Sequence, residues 1–346
     1  MNKILRGLLR RTAVLAPVAT ALGILLYGCA CSLLVRREIA ATPRDPATGV
    51  VLGTAAIDLD PDCAGRNPAT ADGNEAHGAP GRPTSACLLL HGFIGSHQDF
   101  GDLGERLRAA GYHVRLARLP GHGTTPIDFA DQTPETLYAG ALHELRALRA
   151  EYDEVTVIGF SMGGTLATLL AAREPVDRLV LIAPYYGVTY AWYYVLPPHV
   201  WHQMLGWSMP WLYRWECFTK LNRPEGRTGL YSYKYVPSRG VETLFALGEE
   251  ARAAGLLEAI QCPVLLVMSE GDQASCPVAA RAAFARIGSP EKQARWFPGR
   301  SNHHLLRDWD GEAAKGAILE FLGERRVDAS SQPRGAETDS MASSRS

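Results

Sequence analysis

Ser161 stands at a sharp change in the sequence, where a β-branched run gives way to helix-forming residues. Val155–Ile158 precede it, and the turn itself reads Gly159-Phe-Ser-Met-Gly-Gly164. Glycines on both sides of the serine predict a strand-to-helix turn that has no room for Cβ atoms. A serine hydroxyl becomes a nucleophile only when a base removes its proton and a third group orients that base. We therefore expect a carboxylate and a histidine later in the chain.

A carboxylate that suits this role follows the strand-like run 264–268. The run leads directly into Ser-Glu-Gly-Asp272. Asp272 is favoured over Glu270 because Gly271 permits the turn before it, and a new helix begins soon after it. A solvated loop carboxylate is the alternative interpretation for either acid.

The base is expected in the loop after the last strand-like run, 294–297, which holds the adjacent pair His303 and His304. Parallel strands of one sheet end at the same edge, so a histidine of this loop can meet Ser161 and Asp272 there. The order serine, acid, histidine along the chain resembles that of the α/β-hydrolases, in which the serine stands at a turn from a strand to a helix. The residues alone leave His303 and His304 both open as the base.

Negative charge on the attacked carbonyl oxygen needs preorganised N–H donors, each contributing about 3 kcal/mol or more. The loop LHGFIGS at 90–96, directly after the apolar run 86–90, resembles a His-Gly-aromatic loop that supplies one such donor. We predict the backbone N–H groups of Phe93 and Met162 as the pair that forms the oxyanion hole. His91 is interpreted as a residue that ties down the loop backbone.

Strand-like and helix-like segments alternate around these loops, which predicts an α/β fold with a mostly parallel central sheet flanked by helices. A first strand at Val50–Asp58 lies within an Ala-, Pro-, Gly- and Asp-rich linker, 38–84. The predicted strands are 86–90, 113–119, 155–158, 178–182, 264–268 and 294–297, and the predicted helices are 100–110, 134–151, 162–173, 277–286 and 311–322.

These motifs together resemble the α/β-hydrolase superfamily, in particular its branch of monoacylglycerol lipases, carboxylesterases and serine-aminopeptidase-like proteins. The segments LLLHGFIGS, RLPGHGTTP, VIGFSMGG, SEGD and SNHHLLRD occur here in the family order. The resemblance covers 85–325 apart from an insertion, and it implies the α/β-hydrolase fold. The family pattern H-x-aliphatic-x-x-D fits His303 through Asp308 and does not fit His304, so the resemblance favours His303 as the base.

An insertion at about 186–240 is rich in aromatic residues, and the resemblance implies that it forms a cap over the active-site edge. Residues 185–235 hold five of the seven tryptophans and nine of the thirteen tyrosines. Two interpretations stay open. The rings fill a small helical lid, or they line an acyl pocket or lie at a bilayer interface, where Trp and Tyr partition.

The N-terminal segment 1–37 is predicted to be a signal anchor. Its uncharged part, Thr12–Val35, is long enough to cross a bilayer and longer than an ordinary cleavable signal. More positive charge precedes this part than follows it, which favours an exported body on the periplasmic face of a bacterial inner membrane. Leu26-Tyr-Gly-Cys29 resembles a lipoprotein processing box, so a lipoprotein lipidated at Cys29 is the alternative.

Composition excludes some classes of partner. The net charge is −1 and no Lys/Arg-rich run lies outside the N-terminus, so no nucleic-acid binding is predicted. The cysteines lack zinc-ligand spacing, so neither a metal nor any other cofactor is predicted. Cys63, Cys217 and Cys276 are able to pair only in an oxidising compartment. The tail 326–346 has no apolar pattern and is predicted to be disordered.

The sequence predicts a serine hydrolase that cleaves carboxylic esters through an acyl-enzyme. The expected substrates are small hydrophobic esters or acyl lipids, held near a membrane by the N-terminal segment. A peptidase, a thioesterase or an acyltransferase would use the same three residues, because the fold does not fix the function. A membrane-tethered binding protein without activity is a further class, and the intact Ser, Asp and His set argues against it.

Overall fold

The structure is a computed structural model that describes residues 3–61, 84–189, 198–214 and 219–328. Side chains are described over 19–323 within those ranges, except at Leu205 and Trp207.

A seven-stranded sheet forms the centre of the protein, with the strand order β1-β3-β2-β4-β5-β8-β9. Its first strand pairs antiparallel with β3, and the other neighbours pair in parallel, so the predicted α/β fold class is confirmed. Two further strands, β6 and β7, form a separate antiparallel ribbon. The strands are β1 (Ile57–Leu59), β2 (Ser85–Leu90), β3 (His113–Leu116), β4 (Glu154–Phe160), β5 (Arg178–Ile182), β6 (Trp211–Tyr213), β7 (Tyr235–Pro237), β8 (Val264–Ser269) and β9 (Lys292–Phe297).

The central strands are buried along their whole length, as their uninterrupted apolar runs predict. Every residue of β2, β5 and β8 is buried, and so is β4 from Val155 onward. Covering both faces requires helices on both sides of a parallel sheet. The register pairs Gly159 with Leu90, Phe160 with Ile182, and Ser269 with Phe297, so the carboxyl ends of these strands lie along one edge.

Helices connect the strands, and those predicted from the sequence are present with small shifts at their ends. The last helix continues to Asp328, past the predicted end at Leu322 and into the segment predicted to be disordered. The helices are α1 (Lys3–Ala41), α2 (Leu103–Ala109), α3 (Pro126–Ala130), α4 (Pro134–Arg149), α5 (Met162–Arg173), α6 (Pro198–Leu205), α7 (Ser238–Glu250), α8 (Pro277–Arg286) and α9 (Gly311–Asp328).

Helix α7 lies in a stretch that the sequence analysis left irregular. Its glycines lower the helix propensity of the segment, so propensity alone does not predict the helix. The same glycines are required by packing: a Cβ at Gly248 would lie 2.8 Å from the ring of Tyr185, and one at Gly240 would overlap Phe129. Tertiary contacts therefore stabilise a helix that the local sequence does not predict.

The predicted strand Val50–Asp58 is wrong over most of its length. Val51 forms only an isolated bridge with Arg44, and the strand proper covers Ile57–Leu59. Between them Gly53 adopts a positive φ of 78°, and the hydroxyl of Thr54 donates to Val51 O at 2.8 Å. The chain turns there because glycine reaches this conformation without steric cost.

Helix α1 contains one stretch, Ala19–Ala41, that is long and apolar enough to cross a membrane. The helix also contacts the body of the protein. Tyr27 Oη donates to Trp211 O at 2.8 Å, and the Lys234 amide donates to Glu38 Oε1 at 3.1 Å. Its end at Ala41 lies beyond the predicted boundary of the N-terminal segment at residue 37.

Some predictions fall on residues outside the described ranges. They are the central part of the spacer, 62–83, with Cys63; the cap residues 190–197 and 215–218, with Trp192, Trp215 and Cys217; and the tail from residue 329. Cys276 is a free thiol.

Candidate active site

Ser161 occupies a strained turn between β4 and α5. Its backbone has φ 54° and ψ −118°, a conformation that costs a non-glycine residue about 1–3 kcal/mol. Cβ atoms at Gly159 and Gly163 would overlap the carbonyl oxygens of Gly163 and Leu90 respectively, which explains the glycines around the serine. The strain is held in place because the Ser161 amide donates to Ile182 O at 3.0 Å and the Ser161 carbonyl accepts from the Tyr185 amide at 3.0 Å.

The imidazole of His303 bridges the serine and the acid. Its Nε2 lies 2.9 Å from Ser161 Oγ, and its Nδ1 lies 2.7 Å from Asp272 Oδ2. An ionised carboxylate only accepts hydrogen bonds, so the ring proton sits on Nδ1 and Nε2 is free to accept the serine proton. All three side chains are buried, with exposed fractions of 3 to 8%. The structure thus brings together the three residues that the sequence analysis selected.

Asp272 is fixed in its role by the turn that follows β8. Its Oδ1 accepts from the amides of Ala274 at 2.7 Å and Ser275 at 2.9 Å, which leaves Oδ2 for the imidazole. The competing Glu270 is exposed and pairs with Arg281 at 2.6 Å. Glu270 is therefore directed toward the surface.

The loop that carries His303 is held by a buried carboxylate and an amide side chain. Asp308 accepts from the backbone amides of Asn302 at 2.8 Å and of Arg223 at 2.9 Å. Asn302 Oδ1 in turn accepts from the amides of His303 at 2.9 Å and of Gln273 at 3.0 Å. The Asn302 side chain thereby joins the histidine loop to the acid loop.

His304 is turned toward a different carboxylate. Its Nδ1 lies 3.6 Å from Asp99 Oδ1, which is too long for a hydrogen bond, and this buried nitrogen has no partner among the described residues. Burial holds the pKa of His304 well below its usual value, and His303 lowers that pKa further. The ring is therefore neutral near pH 7.

The loop after β2 places Phe93 beside the serine. The amides on either side of it are engaged elsewhere: Gly92 donates to Asp99 Oδ2 at 3.0 Å, and Ile94 donates to His122 Nε2 at 3.1 Å. Ile94 has a positive φ of 54°, which is rare for a β-branched residue and marks a constrained loop. The Phe93 amide, which lies between these two, has no acceptor among the described residues and is available to a ligand.

Met162 is the first residue of α5, so its amide lacks an acceptor within the helix. The helix begins in close contact with the loop after β2, because Gly163 abuts the carbonyl oxygens of Leu90 and His91. The side chain of Met162 is fully buried, whereas Phe93 lines the cavity. The two predicted oxyanion donors therefore come from neighbouring backbone segments.

Two buried histidines stabilise this loop from behind. His91 Nε2 accepts from the Leu119 amide at 3.2 Å, and its Nδ1–H donates to Gly92 O at 2.9 Å. Burial lowers the pKa of His91 to about 4, so the ring stays neutral, as its interpretation as a structural residue requires. His122 likewise accepts from Ile94 and donates to Pro120 O at 2.9 Å.

A cavity of about 810 Å³ opens above Ser161 and His303. Apolar side chains from the segment after β5, from α6 and from α7 form one part of its lining. Cationic and hydroxyl side chains from 214–232 form another part, together with Asp99. The lining residues include Tyr185, Val188, Pro198, Trp201, Leu244, Arg214, Thr219, Lys220, Arg227 and Ser232.

The sequence analysis did not single out Asp99 or Arg214. Asp99 is 3% exposed, and burial raises its pKa to about 6. Asp99 lies three residues beyond the loop 90–96 that carries Phe93, in a short 3-10 helix, His97–Phe100, and this proximity in sequence was the one available signal. Arg214 had no local signal, since its place in the cavity depends on the pairing of β6 with β7.

Comparisons with known proteins identify the family of this chain. The family described as serine aminopeptidase, S33, matches residues 81–310. A thermostable monoacylglycerol lipase from Bacillus sp. is 29% identical over 68% of this chain and 90% of its own length. A carboxylesterase from Bacillus subtilis is 22% identical over 68% of this chain and 92% of its own.

A solved structure shares the fold. The monoacylglycerol lipase of Paleococcus ferrophilus superposes with a TM-score of 0.60 at 20% identity, covering 78% of this chain and 98% of that one. The family match spans more than half of the sequence. The chain therefore belongs to the serine aminopeptidase S33 family of α/β-hydrolases and is a hydrolase.

Proposed function

We propose that this member of the S33 family hydrolyses carboxylic esters through a covalent acyl-enzyme. Ser161 is the nucleophile, His303 the general base and acid, and Asp272 the carboxylate that orients the imidazole. The observation that carries the proposal is the pair of hydrogen bonds at 2.9 Å and 2.7 Å that links the three side chains.

In the first half of the reaction, Ser161 Oγ attacks the ester carbonyl carbon while its proton passes to His303 Nε2. The carbonyl oxygen becomes negatively charged and accepts from the amides of Phe93 and Met162. Each such donor stabilises the transition state by about 3 kcal/mol in a site that excludes water. The imidazolium then gives its proton to the leaving alcohol, the C–O bond breaks, and the acyl group remains on Ser161.

In the second half, water enters and loses a proton to His303 Nε2 as its oxygen attacks the acyl carbon. The tetrahedral intermediate collapses, Ser161 Oγ takes the proton back, and the carboxylic acid leaves. Asp272 keeps the Nδ1–H tautomer throughout and stabilises the imidazolium that forms twice in each cycle.

The substrate class follows from the cavity and from the relatives. Apolar side chains such as Val188, Trp201 and Leu244 line part of it, which suits an acyl chain. A volume of about 810 Å³ is within the range of sites that bind small molecules. The relatives at 29% and 22% identity are named as a monoacylglycerol lipase and a carboxylesterase. We infer that acyl esters are the substrates.

The description of the family favours a second candidate, release of an N-terminal residue from a peptide. An aminopeptidase must bind the cationic α-amino group of its substrate, which calls for carboxylates near the serine. Among the described residues that line the cavity, Asp99 is the one carboxylate, and the lining also includes Arg214, Lys220 and Arg227. This balance of charge disfavours the peptidase.

Labelling with a fluorophosphonate probe tests the nucleophile. Wild type is expected to react covalently and Ser161→Ala to remain unlabelled. His303→Ala is expected to react far more slowly, because the serine loses its base. Unlabelled wild type, folded by circular dichroism, would falsify the assignment and favour a binding protein.

Turnover of p-nitrophenyl esters of increasing acyl length, measured against aminoacyl anilides, tests the substrate class. We expect esters of medium or long acyl chains to be cleaved with the highest kcat/KM. Faster cleavage of the anilides would replace the esterase proposal with the peptidase.

We also propose that α1 anchors the protein in a membrane with the catalytic body on the periplasmic side. Support comes from the length and apolar composition of the stretch Ala19–Ala41, most of which is exposed. Trp201 and Met204 of α6 are exposed apolar side chains of a kind that suits a bilayer interface. Lipidation at Cys29 is the alternative anchor.

Mass spectrometry of the protein purified from membranes separates the two anchors. An uncleaved chain supports the signal anchor, whereas loss of residues 1–28 with a lipid mass on Cys29 supports the lipoprotein. Cys29→Ser serves as the control, since it abolishes lipidation and leaves a signal anchor unaffected. Full-length protein recovered entirely in the soluble fraction would contradict both.

A further inference from the structure

One wall of the active-site cavity is cationic and takes no part in the proposed chemistry. We define this cationic wall by Arg214, Lys220 and Arg227, together with the hydroxyls of Thr219 and Ser232. We propose that the cationic wall binds an anionic group, a carboxylate or a phosphate, carried by an amphipathic ester substrate. The inference rests on the proposed ester hydrolysis at Ser161 and names the kind of ester.

Arg214 is the centre of the wall. Its guanidinium donates to Thr219 Oγ1 at 2.8 Å and to Ser232 Oγ. The side chain is partly buried, and burial lowers the pKa of Arg214 below its usual value. Among the residues that the structure describes, it forms no ion pair. A guanidinium has five N–H donors, so donors remain for a ligand after two hydroxyls have been bonded.

The charge of Asp99 acts on Arg214 from beyond ion-pair distance, so this partly buried guanidinium is stabilised further when an anion binds to it directly. Arginine also suits carboxylate and phosphate, because its planar fork donates two parallel hydrogen bonds to such groups. The hydroxyls of Thr219 and Ser232 fix the orientation of the fork. The site is thus preorganised before a ligand arrives.

The lining of the cavity also includes a buried nitrogen without a hydrogen-bond partner among the described residues. His304 Nδ1 is buried without a partner, and the ring lines the cavity next to Asp99. Asp99 supplies the one negative charge there and already accepts from the Gly92 amide at 3.0 Å. Three cationic side chains against one carboxylate leave an excess of positive charge that a bound anion would compensate.

The remaining lining indicates that the ligand is amphipathic. Val188, Trp201 and Leu244 come from elements other than 214–232 and offer an apolar surface to a hydrocarbon chain. An ester that has an alkyl or acyl chain at one end and an anionic group at the other satisfies both linings. The anion has two possible chemical sources, a phosphate monoester such as a lysolipid headgroup and a carboxylate such as that of a dicarboxylic half-ester.

Calorimetric binding to Ser161→Ala tests the cationic wall without relying on catalysis. The probes are octyl phosphate, octanoate and, as the uncharged analogue, octanol. We expect at least one of the two anions to bind about tenfold or more tightly than octanol, and the better anion identifies the source. Anions that bind no more tightly than octanol would overturn the proposal.

Variants in the same Ser161→Ala background assign the effect to the wall. Arg214→Gln is expected to remove the preference for the anion, and Arg214→Lys to retain part of it. Arg227→Gln, at the exposed rim, is expected to weaken the preference for the anion by a few-fold. This variant tests the cationic wall if Arg214→Gln does not fold. Arg223→Gln removes an exposed charge that lies outside the cavity and is expected to leave the preference unchanged. An anion preference that survives both Arg214→Gln and Arg227→Gln would also overturn the proposal.

Fluorophosphonate labelling of wild type separates the two levels of inference. If wild type is labelled but the binding assay shows no preference for an anion, the esterase proposal stands and the proposed anion site is wrong. Anion binding without labelling removes the esterase proposal and leaves a binding site.

Discussion

The active-site cavity has two sides that differ in how the chain builds them. One side is the edge of the sheet, where Ser161, Asp272 and His303 each follow a strand within a few residues and are hydrogen-bonded to one another. The other side is formed by residues of 198–214 and 219–237, where side chains are positioned by distant partners. Tyr27 reaches Trp211, and Tyr233 Oη donates to Gly121 O at 2.7 Å.

The two sides also differ in the task that the proposed function gives to their residues. The reacting groups need positions accurate to a fraction of an ångström, and buried parallel strands provide a rigid frame for them. In the proposed function, the groups that select a substrate lie on the facing side, which comprises a short ribbon and helical segments outside the sheet.

The largest expected effect separates two neighbouring residues of the sheet edge. His303→Ala should lower kcat/KM for a p-nitrophenyl ester by about 10⁴-fold or more, because the serine loses its base. His304→Ala should lower it by no more than about tenfold, since that ring faces Asp99. Steady-state kinetics of the two variants makes the comparison, and equal losses would contradict the assignment.

A second pair of substitutions tests the acid loop. Asp272→Asn should lower kcat by about 10⁴-fold, because an amide stabilises the wrong tautomer of His303. Glu270→Gln is the matched control and should leave kcat within about twofold, since Glu270 pairs with Arg281 at the surface. A strong loss in Glu270→Gln would mean that the acid has been misassigned.

A third comparison concerns the close packing under the serine. Gly163→Ala should destabilise the protein by about 3 kcal/mol, because the new methyl group would overlap the backbone of Leu90. Gly316→Ala is the control: this exposed glycine within α9 has nothing near its Cβ position, so alanine should stabilise by about 0.5–1 kcal/mol. Urea unfolding measures both, and a gain for Gly163→Ala would contradict the packing.

Asp99 lies where the two sides meet, and it predicts a pH dependence of stability. Burial raises the pKa of Asp99 to about 6 in the folded protein, above about 4 in the unfolded chain. The unfolded chain therefore loses this proton first, and the carboxyl group's contribution to stability falls as pH rises from about 4 to about 6.

Asp99→Asn removes that titration. The free energy of unfolding of the variant minus that of wild type should increase by at most about 3 kcal/mol over this pH range and level off above it. Chemical denaturation at several pH values gives the difference. A difference that stays flat from pH 4 to pH 7 would show that Asp99 is not desolvated.

The smallest expected effect concerns α1. Deletion of 1–41 removes the contacts of Tyr27 and Glu38 with the ribbon but no group near Ser161. We expect kcat/KM for a short, soluble ester to change by less than about threefold, while the protein moves from the membrane fraction to the soluble fraction. A large loss of activity would mean that α1 shapes the cavity directly.

Short sequence patterns were sufficient to predict those features of the structure that depend on a few consecutive residues. The tight turn at Ser161 was readable because neighbouring glycines are required there, and the central strands were readable because burial on both faces demands an unbroken apolar run. The strand at Val50–Asp58 was overextended, because apolar residues around a glycine turn resemble a strand when hydrogen bonds are not visible. Helix α7 was missed for the opposite reason, since its glycines serve packing against Tyr185 and Phe129.

The sequence by itself determined the α/β fold and the candidate residues Ser161 and Asp272, because each lies within a few residues of a strand end and parallel strands end at one edge. It limited the base to His303 or His304, and the resemblance to the family pattern favoured His303. Tertiary structure alone decided which way His304 and Glu270 turn, and which charges face the cavity. Arg214 enters that cavity through the pairing of β6 with β7, and Asp99 becomes desolvated through packing around its loop. Such properties arise from residues far apart in the chain, so no local pattern encodes them.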